Sequence, residues 1–193
     1  MNSVTLKPNR EKATLGFHPW IFSGAIASVT PGTRDGDIVA IHRYRGGQIA
    51  TGYYNSKSSI AIRILAWGAL PPDMDDLVTS RISEAIARRH GIMDDRSNAC
   101  RLIFSEGDCL PGLIVDQYAG YLVVQFLTLG MDQLRDRVIE ALQSLLSPVG
   151  IYERSDAASR KKDGLDPSCG LLAGAQIPDD LEIMVQGLSL IHI

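Results

Sequence analysis

Cysteines are few in this chain of 193 residues, and it lacks any long apolar run. The three cysteines, Cys100, Cys109 and Cys169, are an odd number without the short paired spacing of zinc sites, so we expect reduced thiols and no metal site. No apolar run approaches the roughly 18–20 residues that a membrane span needs, and residues 1–10 lack the layout of a secretory signal. We therefore expect a cytoplasmic location and no membrane partner.

The charge of the chain is unevenly distributed. Its formal net charge is −3, yet residues 1–70 carry eight Lys or Arg against three Asp or Glu, a net charge of +5. The remaining residues therefore carry −8. Because phosphate contacts by Lys and Arg release counterions and dominate nucleic-acid affinity, this asymmetry favours a polyanionic partner for the first part of the chain. Chance clustering of charges on a solvated surface is the alternative.

Residues 4–67 have the pattern of short strands separated by turns. Residues 60–65 alternate, with Ile60, Ile62 and Ile64 on one face. Residues 37–43 and 48–54 flank a turn with paired glycines, which is typical of a β-hairpin. Together these segments predict a small β-barrel.

The pattern changes after residues 68–73, where Pro71 and Pro72 interrupt it and predict a domain boundary. Helical periodicity then alternates with strand-like segments. In chain order the prediction is a helix at 74–90, strands at 101–104, 113–116 and 121–127, a helix at 132–146 capped by Asp132, and strands at 151–154 and 181–185. Residues 164–174 are predicted to be a loop. The predicted fold class is thus α+β, with the helices packed on one sheet face.

Three ordered blocks resemble one protein family. They are HPWIFSG at residues 18–24, preceded by Arg10-Glu11-Lys12; EGDCLPGLIVD at residues 106–116; and YERSD at residues 152–156, followed by RKKDGL at residues 160–165. This series is similar to the large-subunit (23S) ribosomal RNA cytosine-5 methyltransferases, which use S-adenosylmethionine. Three blocks over nearly the whole chain are harder to match by accident than one glycine pattern.

The resemblance implies a PUA-like RNA-binding domain at residues 1–70 and a central α+β module at residues 74–187. The family's Rossmann-like catalytic domain, with its cysteine nucleophile and its methyl-donor site, has no counterpart in these residues. The resemblance therefore implies a fragment that binds ribosomal RNA without methylating it, while the full-length parent uses S-adenosylmethionine and forms a possible homodimer. A stand-alone PUA-type RNA-binding or ribosome-assembly module is the alternative.

The last six residues, LSLIHI at 188–193, match one reading frame of a transposon-end sequencing adapter letter for letter. We expect them to be non-native read-through. The alternative is an ordinary strand in which Leu188 and Leu190 alternate on one face.

Two groups of residues are candidate RNA contacts. In the first part of the chain, cations would bind phosphates and a His–Trp pair would stack on or hydrogen-bond to unpaired bases, although Trp20 could instead pack in the barrel core. These candidates are Lys7, Arg10, Lys12, His18, Trp20, Arg43 and Arg45. The second group is Arg154, Asp156, Arg160 and Lys161, in which Asp156 could position Arg154 for a phosphate or base, or simply form a structural ion pair.

No residue is assigned a catalytic role. Glu106 and Asp108 resemble an acid–base pair, but the turn that follows them favours capping of backbone N–H groups. A hydrolase that uses Asp108 and His18 lacks a paired nucleophile. Residues 170–174 lack the spacing of a dinucleotide fingerprint. Cys109 stands where the family usually has glycine, so a positive φ there would cost about 1 kcal/mol. Ser159 and Asp163 also depart from the family pattern.

Overall fold

The computed structural model describes residues 2–69 and 73–191, which form two large sheets, a short hairpin and five α-helices. The first sheet contains six strands: β1 (Asn2–Leu6), β2 (Trp20–Ile21), β3 (Ile26–Val29), β4 (Ile38–His42), β5 (Gln48–Tyr54) and β6 (Ile62–Trp67). A short helix, α1 (Lys12–Leu15), lies between β1 and β2.

The first sheet has the order β2-β6-β5-β4-β1-β3, in which only β1 and β4 are parallel neighbours. The predicted hairpin is confirmed, because β4 and β5 pair antiparallel and Gly46 and Gly47 in the turn have φ of 86° and 82°. Strands β2 and β3 are the edges of the sheet, so the strand pairing of the described residues is that of an open sheet and not of the closed barrel that the sequence predicted. Alternating side chains such as Val4, Ile41 and Ile62 form its core.

The second sheet follows α2 (Met74–Arg88), whose first turn is capped by Asp73 through the N–H groups of Asp75 and Asp76. Its elements are β7 (Ala99–Phe104), β8 (Leu113–Tyr118), β9 (Tyr121–Phe126), α3 (Leu129–Gln133), α4 (Arg135–Leu146), β10 (Gly150–Ser155), α5 (Ser159–Lys162) and β11 (Ser168–Gly174). The strand order is β11-β10-β9-β8-β7, with β9 and β10 parallel. Apolar residues of α2 and α4 share one core with the sheet, so these helices cover one face of it.

The structure corrects three sequence predictions in this region. The helix predicted at 132–146 is two helices, α3 and α4, and the side chain of Asp132 caps neither of them. Asp132 instead accepts hydrogen bonds from Arg135 and Arg160. The segment predicted to be a loop at 164–174 contains strand β11, which pairs antiparallel with β10. The backbones also approach closely just beyond the end of β11. An added Cβ at Gly150 would lie 2.0 Å from the carbonyl oxygen of Ala175.

The core of the second sheet also receives side chains from the first sheet. Tyr53 of β5 and Leu65 of β6 belong to the core beneath α2 and α4, while other residues of the same two strands fill the first core. The ring of Tyr53 lies directly over Gly130, where an added Cβ would come 2.0 Å from the Tyr53 Cγ atom. The two sheets therefore share buried contacts that any larger residue at position 130 would break.

The chain ends in a hairpin of β12 (Glu182–Val185) and β13 (Leu188–Ile191), which pair antiparallel around Gln186 and Gly187. The backbone of 188–191 is thus the strand that we considered as the alternative, and the Leu188 side chain is 68% exposed. The adapter origin of residues 188–193 stays a prediction, and His192 and Ile193 lie outside the described residues. So do Pro71 and Pro72 of the predicted domain boundary.

Candidate nucleic-acid interface

Five predicted RNA-binding cations lie at one end of the first sheet. Because β1 and β4 are parallel and Thr5 pairs with His42, the segments that follow these two strands leave the sheet at the same end. The segment after β1 carries three of the cations, and the turn after β4 carries the other two. We call this group the basic end: Lys7, Arg10, Lys12, Arg43 and Arg45.

All five side chains of the basic end are exposed, and among the described residues none of them forms an ion pair. The one side-chain hydrogen bond recorded for the group runs from Lys7 Nζ to the carbonyl oxygen of Gly24, at 2.9 Å. The sequence predicted these cations from charge alone, and the topology brings them together. A surface of this kind attracts a polyanion.

Two exposed aromatic side chains accompany the basic end, and the sequence analysis missed both. Phe17 is 71% exposed and Tyr44 is 57% exposed. Phe17 has a φ of 62°, which is unfavourable for a bulky residue, and its ring centroid lies 5.8 Å from that of Trp67. Aromatic side chains beside cations are suited to stacking on unpaired bases. The available signal was their position directly beside His18, Arg43 and Arg45.

The rings of His18 and Trp20 lie edge to face, with their centroids 5.9 Å apart, but the two side chains differ in exposure. His18 is exposed, and its Nδ1 atom is 3.2 Å from both the backbone nitrogen and the backbone oxygen of Trp20. Trp20 is half-buried in β2, where its indole Nε1 donates to Glu106 Oε1 at 2.6 Å. Trp20 therefore does not belong to the first core but links the first sheet to the second.

Glu106, in the segment after β7, accepts hydrogen bonds from two residues of the first sheet. Arg63 of β6 donates to the same Oε1 atom at 2.8 Å, and the Arg63 guanidinium lies 5.7 Å from the centroid of the Trp20 ring. Burial alone would raise the pKa of Glu106, but hydrogen bonds from Ser105 and Trp20 outweigh it, so the pKa lies below its ordinary value. Glu106 is therefore an ionised acceptor whose main partners are side chains, and a hydrogen bond from its own backbone N–H also lowers the pKa.

Asp108 caps backbone, as predicted, and also binds two arginines. Its Oδ2 accepts the N–H of Phe104 at 2.6 Å, while Arg88 and Arg89 at the end of α2 donate to the carboxylate. Burial raises its pKa, but the bonds from Arg89 and Phe104 lower it further, below the ordinary value. The next residue, Cys109, has φ 57° and ψ 28°, so the backbone there has the positive φ for which the sequence analysis gave cysteine a cost.

Arg154 and Asp156 lie on the face of the second sheet that is not covered by α2 and α4. They line a cavity of about 510 Å³ together with Tyr118, Gln125 and Tyr152. Arg154 Nε is 3.8 Å from Asp156 Oδ2, and both side chains are more than half exposed. This distance is that of a loose ion pair, too long for the hydrogen bond by which Asp156 could hold Arg154 in place. The pair remains accessible to a ligand.

Arg160 contradicts its predicted role as an RNA contact. Its exposure is 4%, and its guanidinium donates to the carbonyl oxygens of Phe126 and Asp166 and to Asp132 Oδ1. A buried guanidinium whose Nε and Nη1 atoms donate to protein oxygens stabilises the fold and is poorly placed to bind a phosphate. Its neighbour Lys161 is exposed, so only Lys161 of this pair faces the solvent.

Other kinds of site find little support in the described part of the chain. Within residues 2–69 and 73–191, no three His, Cys, Asp or Glu side chains could hold a metal ion, and no helix is long and apolar enough to cross a bilayer. All three cysteines are free thiols. Residues 170–174 lie in strand β11 and not in a turn between a strand and a helix. This segment therefore lacks the loop geometry that would hold S-adenosylmethionine.

The first sheet matches a known domain family. Residues 4–67 match the family described as a PUA-like domain. The predicted PUA-like domain is therefore confirmed for this part of the chain, within a mixed α/β protein.

Homologues of the chain are large-subunit ribosomal RNA methyltransferases. It is 34% identical over 189 residues to the ribosomal RNA large subunit methyltransferase I of Alteromonas mediterranea, covering 97% of this chain and 47% of the relative. It is 36% identical over 191 residues to the protein of the same name from Escherichia coli, covering 97% of this chain and 48% of the relative. The chain thus spans about half the length of the curated relatives it matches.

Solved structures share the fold. A putative SAM-dependent methyltransferase from Streptococcus mutans superposes with a TM-score of 0.79 at 17% identity, over 98% of this chain and 47% of that one. A putative methyltransferase complexed with SAH gives a TM-score of 0.80, also at 17% identity and over 47% of its length.

Proposed function

We propose that this chain is the RNA-binding part of a methyltransferase that acts on large-subunit ribosomal RNA. The observation that carries the proposal is the basic end. Its five cations are exposed and form no ion pair among the described residues, and the exposed aromatic residues Phe17 and Tyr44 lie in the same two segments of the chain. Its position in a PUA-like domain and the names of the relatives support the same function.

The finer assignments belong to the same proposal. The basic end grips RNA phosphates, Phe17 and Tyr44 stack on unpaired bases, and Arg154 with Asp156 contacts a second stretch of RNA. The domain division at about residues 70–74 separates the RNA-binding domain from a central module. The full-length protein transfers a methyl group from S-adenosylmethionine to carbon 5 of a cytosine in the cytoplasm, and its homodimer is the assembled form.

The methyl donor is proposed to bind in a part of the longer protein that these residues do not supply. S-adenosylmethionine would supply the methyl group, and this chain's own contribution is to bind and orient the RNA. The corresponding experiment incubates the purified chain with large-subunit ribosomal RNA and methyl-labelled S-adenosylmethionine. We expect RNA retention on a filter and no label in the RNA, whereas efficient methyl transfer would contradict the assignment.

The basic end is tested by reversing two of its charges. The double variant Arg10→Glu, Lys12→Glu should bind ribosomal RNA about tenfold or more weakly. The plot of log Kd against log salt should become less steep by about 0.7–0.9 per lost phosphate contact. Fluorescence anisotropy with a labelled RNA fragment at several salt concentrations measures both effects.

The matched control is Arg96→Glu, since Arg96 is exposed and lies next to the hairpin of β12 and β13. It changes the net charge in the same direction without touching the basic end. Because the control reverses one charge and the double variant reverses two, a loss of log Kd in the control that is about half that of the double variant would show that overall charge, and not this surface, sets the affinity.

A further inference from the structure

A cleft of about 620 Å³ lies at the seam between the two sheets, and Glu106 is one of its lining residues. Its walls come from the loop between β5 and β6, from β2 and from α5. Six of its lining residues matter here: Trp20, Lys57, Ser58, Arg63, Ser159 and Lys162. The sequence analysis singled out only Trp20 as a ligand contact.

The positive charge in this cleft is only partly compensated. Arg63 is paired with Glu106 at 2.8 Å, whereas Lys57 and Lys162 form no ion pair among the described residues. The lining contains three cations and two carboxylates, Glu106 and Asp163, so it carries a net charge of +1. Since Asp163 is only 4% exposed, the lysines determine the charge at the mouth of the cleft.

The two lysines line the same cleft although they are far apart in sequence. An added Cβ at Gly164 would lie 3.3 Å from Lys57 Cδ and 3.8 Å from its Nζ, so the Lys57 side chain runs across the segment that follows Lys162. Asn55 fixes the same junction by donating to the carbonyl oxygen of Asp163 at 3.0 Å. Two lysines that line one cleft and form no ion pair among the described residues favour an anionic ligand there.

The aromatic wall of the cleft has a fixed orientation. The indole of Trp20 is held by its bond to Glu106, and Glu106 is in turn held by Arg63 and Ser105. A ring that is fixed in this way loses little conformational entropy when a base stacks on it. Hydroxyl groups of Ser58, Ser59 and Ser159 also line the cleft and can donate to phosphate oxygens.

We propose that this seam cleft binds one nucleotide of a single-stranded RNA, with its phosphate between Lys57 and Lys162 and its base against Trp20. The inference rests on the proposed function, because it assumes that the chain binds RNA, and it adds a nucleotide site between the sheets that is separate from the basic end. A volume of about 620 Å³ is ample for one nucleotide and falls within the usual range of ligand pockets.

The first experiment measures binding of a fluorescein-labelled single-stranded RNA of mixed sequence, about 12 nucleotides long, a length within the usual span of single-strand sites. Lys57→Gln and Lys162→Gln should each raise Kd about tenfold and reduce the salt slope by about 0.7. Arg96→Gln is the control, because it removes one exposed charge that does not line the cleft and should leave Kd unchanged. Circular dichroism verifies that each variant is folded.

The second experiment observes the cleft directly through Trp20. The chain has two tryptophans, so Trp67→Phe leaves Trp20 as the sole tryptophan emitter. Adding the same RNA should quench its emission with the midpoint seen by anisotropy, and Lys57→Gln in this background should shift that midpoint about tenfold.

The outcomes separate the two proposals. If the unchanged protein binds the RNA while Lys57→Gln and Lys162→Gln bind equally well, the seam cleft is not a nucleotide site and the basic end alone accounts for binding. Unchanged Trp20 emission at saturating RNA overturns the cleft in the same way. If the unchanged protein binds no RNA at all, the proposed function itself is wrong, and the cleft proposal falls with it.

Discussion

The hydroxyl of Tyr53 gives the sharpest test of how the two sheets are joined. It donates to the carbonyl oxygen of Pro111 at 2.7 Å and lies 2.7 Å from Thr128 Oγ1, so one side chain of the first sheet bonds to two residues of the second region. Burial raises the pKa of Tyr53, which keeps the hydroxyl protonated and able to donate. The variant Tyr53→Phe removes this group and keeps the ring over Gly130.

The expected loss is moderate because the partners of the hydroxyl retain a contact with each other. Thr128 Oγ1 already donates to the carbonyl oxygen of Pro111 at 3.3 Å and can strengthen that bond in the variant. We therefore expect a loss of about 1–2 kcal/mol in the free energy of unfolding, near the ordinary value for a buried hydrogen bond. For a chain of this size that loss lowers Tm by roughly 3–6 °C.

Differential scanning calorimetry measures the change, with Tyr54→Phe as the matched control. Tyr54 is the next residue of β5, is half-buried, and its hydroxyl forms no hydrogen bond with any described residue. Tryptophan emission, which reports on the first sheet, and far-ultraviolet circular dichroism should give the same midpoint if the sheets unfold together. A Tyr53→Phe variant that melts within about 1 °C of Tyr54→Phe would refute the reasoning.

Three further predictions concern the second region. Cys109→Gly should raise the free energy of unfolding by about 1 kcal/mol because φ is positive there, and urea denaturation should show no such gain for Cys109→Ala, which keeps a Cβ atom. Asp108→Asn should cost about 2–3 kcal/mol near neutral pH. The pKa of Asp108 is lower in the folded protein than its ordinary value of about 4, so the stabilisation by the Asp108 carboxylate is complete above that ordinary value. It is lost as pH falls through the folded pKa. Denaturation curves of the variant and of the unchanged protein should therefore converge in acid. Arg160→Met should cost about 3 kcal/mol while the folded protein keeps the salt dependence of its RNA binding; a flatter slope would restore Arg160 as an RNA contact.

The sequence predicted those helices and strands that are determined by interactions between residues close together in the chain. The hairpin of β4 and β5 follows from paired glycines between two apolar runs, and α2 follows from its apolar periodicity. The strand β11 was missed because its residues, SCGLLAG, have weak strand preference. It forms because it pairs with β10 at the sheet edge, and only the fold reveals that pairing.

The residues of the candidate sites also fall into those that the sequence predicted and those that depend on contacts between distant parts of the chain. The cations of the basic end were predictable from composition, because exposed Lys and Arg need no partner to be placed on a surface. The link between Trp20, Arg63 and Glu106 was not, since Glu106 is separated from them by 86 and 43 positions in the chain. Arg160 was assigned to RNA for the same reason, because its partner Phe126 is 34 positions away. Long-range pairing decides which charges face the solvent.

Strand β5 has a consequence for how the chain can vary. Its side chains are buried on both faces, with Ile49 and Ala50 in one core and Tyr53 in the other, so each change in β5 must satisfy two sets of neighbours at once. The relative placement of the sheets is set by that strand, by Leu65 of β6 and by the hydrogen bonds that the first sheet makes to Glu106. A longer connection between residues 68 and 73 should therefore leave the placement of the two sheets unchanged, because that placement is encoded far from the segment that joins them.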